Sequence, residues 1–275
     1  MTGPDFDHFC QLALTRSGLV LTPEKAYLVL SRLEPVAKRN GINDVPTLLA
    51  RLRQSAPEPL VRACVEAMAT HESLFFRDVS PFDCLADVFA AGRHEAPRPW
   101  KVWSAACSSG QEAYSIAMLA LEQAGRMGGR PVDIFGTDIA EGIIDKARKG
   151  QFSDFEVQRG LSPERLARWM HRTGDGWQVS PALKAMTRFE THNLLQAAPT
   201  SGPFDVVFCR NVLIYFDVQR KAQALHNIAK AMAPGGVLFL GAADSIAGLC
   251  DAFQPEPGRR GVFRMGEAAA LARTA

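Results

Sequence analysis

The pattern of the sequence changes once, near residue 100, and this change restricts the chain to a fold of two parts. Residues 1 to about 92 carry apolar positions at helical spacing only. From Trp100 onward, short β-branched runs alternate with helical stretches. Such alternation is typical of a parallel sheet with crossover helices. We therefore predict an all-α domain followed by a doubly wound α/β domain.

The same change gives the expected domain boundaries. We expect an all-α N-terminal domain at 1–78, a helical linker at 79–99 and an α/β domain at 100–275. Residues 151 to about 186 interrupt the alternation of strands and helices. A connection of this length exceeds the roughly 12–15 residues beyond which loops without structure of their own are uncommon. The sequence therefore predicts a small inserted subdomain there.

Composition and charge exclude several classes of protein. The chain has 31 Lys and Arg and 29 Asp and Glu, a formal net charge of +2. That near-balance does not support nucleic-acid binding through bulk charge. No apolar run approaches the roughly 18 residues of a membrane span. The first residues lack the basic start and apolar centre of a signal peptide. We expect a cytoplasmic monomer without membrane insertion.

The cysteines favour neither a metal site nor a disulfide framework. No two of the six lie within four residues of each other, so the Cys-x-x-Cys spacing of zinc sites does not occur. In a chain without an export signal, we expect reduced and mostly buried thiols. No bound metal is expected.

The run from Ser104 to Gly110, after the first predicted strand, has the composition of a ligand-binding loop. Its small residues allow backbone amides at the start of the next helix to face a ligand. It has one glycine, not the three of the dinucleotide fingerprint, which disfavours NAD and leaves room for a nucleoside without a pyrophosphate. Asp138 ends the second strand, where an acid commonly holds ribose hydroxyls. The alternative, which we favour less, is that Asp138 caps the helix that follows.

Further polar candidates follow the other predicted strands. Glu112 lies in the first turn of the helix after the small-residue run, where it either compensates the helix dipole or meets a cationic part of a ligand. Asn193 and Leu194 follow the third strand, and Arg210 and Asn211 follow the fourth. Each alone has an ordinary surface explanation. Because the carboxyl ends of parallel strands meet at one edge of a sheet, together they predict a ligand site.

Five motifs occur in a recognisable order. They are Thr70–Arg77 (THESLFFR), Trp103–Ser115 (WSAACSSGQEAYS), Gly136–Ile139 (GTDI), Asn193–Leu195 (NLL) and Phe208–Phe216 (FCRNVLIYF). In this order they resemble the motifs of the chemotaxis receptor glutamate O-methyltransferases, the CheR family. The resemblance extends from about residue 5 to 265. It implies an all-α domain, a linker and a class I methyltransferase domain (Rossmann-like) with a small antiparallel β insertion.

The resemblance also implies an activity. The methyl donor would be S-adenosylmethionine, leaving S-adenosylhomocysteine, and the acceptor a glutamate side chain on the cytoplasmic helical bundle of a chemoreceptor. The methyl esters formed would serve sensory adaptation. Two alternatives stay open: a methyltransferase for RNA or a small molecule, and a cofactor-bound signalling scaffold. Arg210–Tyr215 reads Arg-Asn-Val-Leu-Ile-Tyr, not the Asn-Pro-Pro-Tyr type of catalytic loop, which argues against a nucleic-acid substrate.

Site residues follow from the matched motifs. The implied cofactor contacts are His71, Ser73, Arg77, Glu112, Asp138, Asn193, Leu194, Arg210, Asn211 and Tyr215. His71 stands where the family more often has Asn. Arg77 and Tyr215 are the expected catalytic residues. Tyr215 would orient the methyl group, and Arg77 would hold either the methionine carboxylate of the cofactor, which we favour, or the incoming glutamate.

A basic stripe is expected on the second helix. Lys25, Arg32 and Arg39 are spaced by seven residues, and Lys38 lies beside them. The stripe is either an ordinary solvated face or, as the resemblance implies, the element of the N-terminal domain that docks on acidic receptor helices. Pro35 should kink this helix or end its regular part. The compact loop at 171–177 favours an enzyme that works without a C-terminal receptor tether.

Overall fold

The computed structural model describes residues 3–92 and 98–266, which form two compact units. The first unit comprises the chain up to Thr70 together with Tyr215–Lys221, and the second comprises His71–Ile214 and the chain from Ala222 onward. The predicted domain ends at residues 1 and 275, and residues 93–97 of the predicted linker, lie outside the described residues.

The first unit is built from helices, as predicted. They are α1 (Pro4–Ser17), a 3-10 turn (Pro23–Lys25), α2 (Ala26–Arg39), α3 (Val45–Gln54) and α4 (Glu58–Ala67). Asp44 caps α3 by accepting a hydrogen bond from the Thr47 amide at 2.7 Å. Helix α2 continues through Pro35 to Arg39 rather than ending there. Leu33 and Val36, buried on either side of the proline, pack this part of α2 into the core of the unit.

The second unit alternates strands and helices. Its elements are α5 (Ser80–Ala91), β1 (Trp100–Ala105), α6 (Gln111–Glu122), β2 (Val132–Asp138), α7 (Glu141–Lys149), β3 (Gln151–Phe152), α8 (Asp154–Gln158), α9 (Pro163–Trp169), β4 (Met170–Thr173), β5 (Gly176–Val179), α10 (Pro181–Ala185), β6 (Thr187–Thr191), β7 (Phe204–Cys209), α11 (Val218–Ala231, whose first turn belongs to the first unit), β8 (Met232–Leu240), β9 (Phe253–Pro255) and β10 (Val262–Met265).

The main sheet of this unit has the order β6-β2-β1-β7-β8-β10-β9. The five strands β6, β2, β1, β7 and β8 are parallel to one another. Strand β10 pairs antiparallel with β8 on one side and with β9 on the other. From β1 the chain proceeds outward through β2 to β6 and then returns to the other side of β1 as β7. The carboxyl ends of β1 and β7 therefore meet at the topological switch point, where such sheets bind ligands. The predicted doubly wound α/β fold is confirmed.

The interruption predicted at 151–186 contains a separate antiparallel sheet of order β3-β5-β4, accompanied by α8, α9 and α10. We call residues 151–186 the inserted subdomain. A capping box starts α8, in which Ser153 and Glu156 exchange side-chain to backbone hydrogen bonds. The predicted fold class, with a small β insertion, is thus confirmed.

The division between the units differs from the predicted boundary. The structure divides the chain after Thr70, eight residues before the predicted end of the first domain. The reason is that Phe75 and Phe76 are buried in the core of the second unit. Phe82 and Phe89 of α5 belong to the same core. The helix predicted as a linker is therefore an integral part of the second unit.

Within residues 3–92 and 98–266, no helix is long and apolar enough to cross a membrane.

Candidate functional site

Backbone strain in the second unit is concentrated beside the switch point. Among the described residues other than glycine, φ is positive at Phe76 (49°), Asp78 (64°), Val79 (30°), Ala106 (61°), Ser108 (52°) and Asn211 (59°). These positions lie in three places: residues 76–79, the loop after β1 and the loop after β7. Such conformations cost roughly 1–3 kcal/mol each and persist where the surroundings fix them, often at ligand sites. The strain therefore coincides with the edge at which the sequence predicts a ligand.

Asp138 is buried at the carboxyl end of β2, with 6% of its surface exposed. Its Oδ2 accepts a hydrogen bond from the Ser108 amide at 3.0 Å, and its Oδ1 accepts one from the Ala140 amide at 3.2 Å. The carboxylate thus bonds the chain at the start of α7 and also fixes the loop after β1. Because a carboxylate offers about four acceptor positions, capacity remains for the hydroxyls of a ligand.

His71 lies beside Asp138. Its Nδ1 is 3.8 Å from Asp138 Oδ1, and its carbonyl oxygen accepts a hydrogen bond from the Ser108 hydroxyl at 2.9 Å. Burial raises the pKa of Asp138, while the neighbouring imidazole acts in the opposite direction. We call residues 71–78 the entry segment. The His71 contacts hold the start of this segment against the loop after β1.

Arg210 is buried within an ion-pair network. Its side chain is 2% exposed, and Nη1 donates to Glu112 Oε2 at 3.0 Å. Its Nη2 donates at 2.7 Å to both the Arg77 carbonyl and Asp78 Oδ2. The Ser104 hydroxyl donates to the second oxygen of Glu112 at 2.7 Å. One guanidinium faces two carboxylates, so the network carries an excess negative charge that favours a cationic group nearby.

The other predicted strand-end residues shape their own loops. The Asn193 side-chain oxygen accepts a hydrogen bond from the Leu195 amide at 3.0 Å, which forms a local turn after β6. Leu194 is buried, and its carbonyl oxygen accepts a hydrogen bond from Asn227 at 2.9 Å. Their side-chain positions relative to a cofactor stay predictions.

Asp244 was not predicted from the sequence, although it also follows a strand. Its Oδ2 accepts hydrogen bonds from the Asn211 amide at 3.2 Å and the Gly241 amide at 3.0 Å. Asp244 therefore joins the loop after β7 to the loop after β8. Extending the search for polar residues at strand ends to β8 would have found it.

Cys107, in the loop after β1, directly precedes Ser108, whose amide bonds Asp138. The residue is 1% exposed, and burial raises the pKa of this thiol well above its usual range. Asp138 and Glu112 add to the rise because a thiolate would be repelled by their charges. Cys107 is thus a packing residue and not a nucleophile.

Two further predicted contacts, Ser73 and Arg77, lie on the entry segment and are half-buried. Arg77 Nη1 donates to the Glu72 carbonyl oxygen at 3.4 Å. The second unit therefore brings His71, Arg77 and the Arg210 network to one edge of its sheet. Tyr215 belongs to the first unit, where its carbonyl oxygen accepts a hydrogen bond from the Val20 amide at 3.2 Å.

Arg32, one of the predicted docking residues, is engaged within the first unit. Its Nη1 donates to the carbonyl oxygens of Met68 and Ala69, and its Nη2 donates to the Thr70 hydroxyl at 2.9 Å. These bonds satisfy carbonyls beyond the C-terminal end of α4, where the helix itself leaves acceptors unpaired. Arg32 therefore stabilises the end of α4 and is not a freely exposed member of a basic stripe.

The remaining predicted docking residues are exposed. Lys25 Nζ donates to the Val20 carbonyl oxygen at 3.5 Å, and Lys38 forms an ion pair with Glu34 at 3.1 Å. Arg39 ends α2 and is also exposed. Lys38 and Arg39 thus present positive charge to solvent at the end of α2.

Comparison with known proteins gives the family of both units. The family described as "CheR methyltransferase, all-alpha domain" matches residues 4–69, and "CheR methyltransferase, SAM binding domain" matches residues 71–262. Their junction falls where the structure divides.

Full-length relatives agree with this result. Chemotaxis protein methyltransferase 1 of Vibrio cholerae is 41% identical over 253 residues, covering 91% of this chain and 92% of the relative. Chemotaxis protein methyltransferase Cher2 of Pseudomonas putida is 38% identical over 260 residues, covering 91% and 93%. The chemotaxis protein methyltransferase of Salmonella typhimurium is 34% identical over 253 residues, covering 90% and 86%. The resemblance of the five motifs is confirmed: the chain belongs to the CheR methyltransferase family.

Proposed function

We propose that this chain is a protein-glutamate O-methyltransferase that transfers the methyl group of S-adenosylmethionine to glutamate side chains of chemoreceptors. The observation that carries the proposal is Asp138, which two backbone amides fix at the carboxyl end of β2, beside the loop after β1, with further acceptor positions available. An acid in this position suits a ribose. The matched family and the names of the relatives supply the class of reaction. We expect it to act in the cytoplasm as a monomer.

The residues at this edge fit S-adenosylmethionine. Asp138 has acceptors for hydroxyl groups, and the loop after β1 presents small side chains with left-handed backbone at Ala106 and Ser108. The excess negative charge of Glu112 and Asp78 over Arg210 suits a ligand with an ammonium group. A bound S-adenosylmethionine would thus explain both the acidic residues at this edge and the small side chains of the loop after β1.

Bound S-adenosylmethionine supplies a methyl group activated by a sulfonium. The acceptor glutamate has an ordinary pKa near ~4.3 and is already ionised at pH 7, so no general base is required. The task of the chain is to position the reactants and to exclude water. In this proposal Asp138 and Glu112 hold the cofactor, Arg77 binds its carboxylate, and Tyr215 orients the methyl group.

Receptor docking is proposed for the exposed basic end of α2. Lys38 and Arg39 are solvent-exposed there, and methylated receptor helices are rich in glutamate, so the charges are complementary. Lys25 extends the positive charge to the other end of the helix. Arg32 contributes by holding the end of α4 in place.

The deciding experiment incubates the protein with membranes that contain chemoreceptors and with methyl-labelled S-adenosylmethionine. The expected product is receptor-bound label that alkali releases as methanol, because carboxyl methyl esters are base-labile. A receptor whose methylatable glutamates are replaced by alanine is the matched control. Alkali-stable label would indicate N-methylation of another acceptor, and cofactor binding without transfer would indicate a signalling scaffold. Either result contradicts the proposal.

A further inference from the structure

The entry segment is bonded to α6 and to the loops after β1 and β7, and it also contacts the inserted subdomain. The Phe76 amide donates to the buried Ser115 hydroxyl of α6 at 2.9 Å. The Arg77 carbonyl accepts its bond from Arg210, and the His71 carbonyl accepts its bond from Ser108. These contacts fix one side of the segment. The other side of the entry segment is contacted by the inserted subdomain.

Gly160 of the inserted subdomain lies directly against the backbone of the entry segment. A Cβ at residue 160 would lie 2.8 Å from the carbonyl carbon of Phe75 and would overlap its oxygen. Gly160 also has a φ of +110°, a conformation that L side chains rarely adopt. Only glycine therefore permits this backbone-to-backbone approach.

Aromatic contacts extend the same junction. The rings of Phe75 and Phe152 meet edge to face, with centroids 5.0 Å apart. The Arg165 guanidinium lies 3.7 Å from the centroid of the Phe76 ring. Arg165 is itself held by an ion pair with Glu122 of α6 at 2.8 Å. Both buried aromatic residues of the entry segment are thus in contact with the inserted subdomain.

An ion pair closes the junction at its exposed rim. Arg159 Nη2 donates to Glu72 Oε1 at 2.9 Å, with 39% of the Arg159 side chain and 58% of the Glu72 side chain exposed. Pairs of this kind contribute little free energy, since water screens them. The pair joins the residue after His71 to the residue before Gly160, so it reinforces the same alignment.

We infer that the inserted subdomain positions the entry segment for cofactor binding, with Gly160 as the positioning residue that sets how closely the two backbones approach. The inference rests on the proposed function, because the entry segment carries His71, Ser73 and Arg77. An inserted subdomain pushed away from Phe75 would displace these residues from Asp138 and Arg210.

The test uses Gly160→Ala with two matched controls. Gly174→Ala changes a glycine of the same subdomain that has nothing within 4 Å of the added methyl. Gly129→Ala introduces a left-handed alanine (φ +74°) with equally open surroundings. Calorimetry measures the Kd for S-adenosylhomocysteine, and hydrogen exchange measures protection of the Phe76 amide in the protein without ligand. For Gly160→Ala we expect S-adenosylhomocysteine binding to be at least about tenfold weaker, because the displaced entry segment would lose its hydrogen bonds to the ligand.

Hydrogen exchange gives a readout that does not depend on the cofactor. In Gly160→Ala the Phe76 amide should exchange at least about tenfold faster than in wild type, because the segment opens more often. Both controls should match wild type within about twofold in both measurements. Unchanged Kd and unchanged protection in a folded Gly160→Ala would overturn the inference. Wild-type protein that binds no S-adenosylhomocysteine would instead contradict the proposed function, and the exchange measurement would still decide the positioning.

If Gly160→Ala does not fold, a charge reversal tests the same junction. Glu72→Lys places a second cation beside Arg159 and should weaken S-adenosylhomocysteine binding by about threefold, the scale of an exposed pair. Adding Arg159→Glu should restore the affinity, as expected for a coupled pair. Wild-type affinity in Glu72→Lys, or no recovery in the double variant, would count against the inference.

Discussion

The Arg210 guanidinium donates to the Glu112 carboxylate at 3.0 Å, and both side chains are removed from most solvent contact. The sequence predicts both as cofactor contacts, each for its own position at the end of a strand or the start of a helix. In the structure the two side chains form a salt bridge with each other. Arg210 also bonds the end of the entry segment, so it joins the loop after β7 to α6 and to residues 77–78.

Replacing Arg210 should therefore lower stability even without cofactor. Arg210→Met leaves the Glu112 carboxylate buried without its cation, which costs about 3 kcal/mol of the free energy of unfolding. Urea denaturation of the ligand-free protein measures the change. Arg264→Met is the matched control, since the pair of Arg264 with Glu256 is half exposed and should contribute less than about 1 kcal/mol. Equal decreases in the free energy of unfolding in the two variants would show that the buried network contributes no more to stability than an exposed ion pair.

Asp138→Ala should weaken the binding of S-adenosylhomocysteine about tenfold to a hundredfold. Hydrogen bonds to a charged acceptor contribute roughly 1.5–3 kcal/mol, and the substitution removes this acceptor from the site. Titration calorimetry gives the Kd. Asp133→Ala, at the exposed start of the same strand, is the control and should bind like wild type. An unchanged Kd in a folded Asp138→Ala protein would exclude this carboxylate from the cofactor site.

The affinity for S-adenosylhomocysteine should also depend on pH through Asp138. Burial raises the pKa of this carboxyl above its ordinary 3.8, so protonation begins at a higher pH than for an exposed aspartate. The folded state then holds the proton more tightly than the unfolded state. The resulting contribution to stability is full below pH 3.8 and is lost as the pH rises through the folded pKa. Ligand affinity follows the opposite course, because only the ionised form keeps all its acceptors, so the Kd should increase as the pH falls.

Two variants identify the group responsible for this pH dependence. In Asp138→Ala the acid-dependent increase in Kd should disappear. In His71→Asn the increase in Kd should begin at a higher pH. The electrostatic interaction with His71 lowers the pKa of Asp138, and the variant removes this interaction. Calorimetric titrations between about pH 4.5 and 7.5 cover the range around the ordinary pKa of histidine and above that of aspartate. Identical pH profiles for all three proteins would exclude Asp138 as the titrating group.

Arg77→Ala should abolish methylation without unfolding the protein, because the side chain is half-buried and forms one long bond to the Glu72 carbonyl. If Arg77 holds the carboxylate of the cofactor, the Kd for S-adenosylhomocysteine should rise as well. An unchanged Kd with lost turnover would assign Arg77 to the acceptor glutamate instead. Arg126→Ala, in the exposed loop after α6, is the control. Turnover of Arg77→Ala within about twofold of wild type, roughly 0.4 kcal/mol, would remove Arg77 from the mechanism.

Four of the five parallel strands could be predicted because each is largely a buried run, whereas in β6 only Phe189 is buried. Strand β2 shows this pattern, since Val132–Thr137 is almost entirely buried and Asp138 follows. Strands β9 and β10 were not predicted: they have only three and four residues, and neither shows a regular alternation of buried and exposed positions. The early domain boundary was missed for a related reason. The sequence around Phe75 and Phe76 does not indicate whether these side chains pack into the core of the first unit or of the second.

The candidate site was predictable where local sequence determines the position. Asp138 and the loop after β1 follow strands directly, so topology alone brings them together. The engagement of Arg32 was not predictable, because its partners Met68 to Thr70 are 36 to 38 residues away. Spacing along a helix gives the direction of a side chain but not its partner. The seven-residue spacing therefore placed Arg32 and Arg39 in one stripe, although only Arg39 is exposed.

This difference within the stripe leads to a prediction on receptor docking. Lys38→Glu combined with Arg39→Glu should raise the KM for receptor and leave both the Kd for S-adenosylhomocysteine and the stability near wild type. The two charges are exposed, and the ion pair of Lys38 with Glu34 contributes only about 0.3–0.5 kcal/mol. Because exposed charges act through a screened field, wild-type methylation should also slow as salt rises beyond ~0.15 M, where the Debye length is ~8 Å.

Arg32→Glu is the discriminating comparison, because it makes the same change of charge at a residue whose side chain is hydrogen-bonded within the first unit. It removes the donors to the carbonyls beyond α4, so we expect a loss of about 1.5–3 kcal/mol in the free energy of unfolding, as for bonds to a charged group. Steady-state methylation and urea denaturation of both proteins separate the two effects. If docking depends on the exposed end of α2, the double variant changes KM alone and Arg32→Glu changes stability. If neither variant alters the KM for receptor and methylation does not depend on salt, docking lies on another surface. Docking through complementary charge on α2 requires both the KM and the salt dependence to respond.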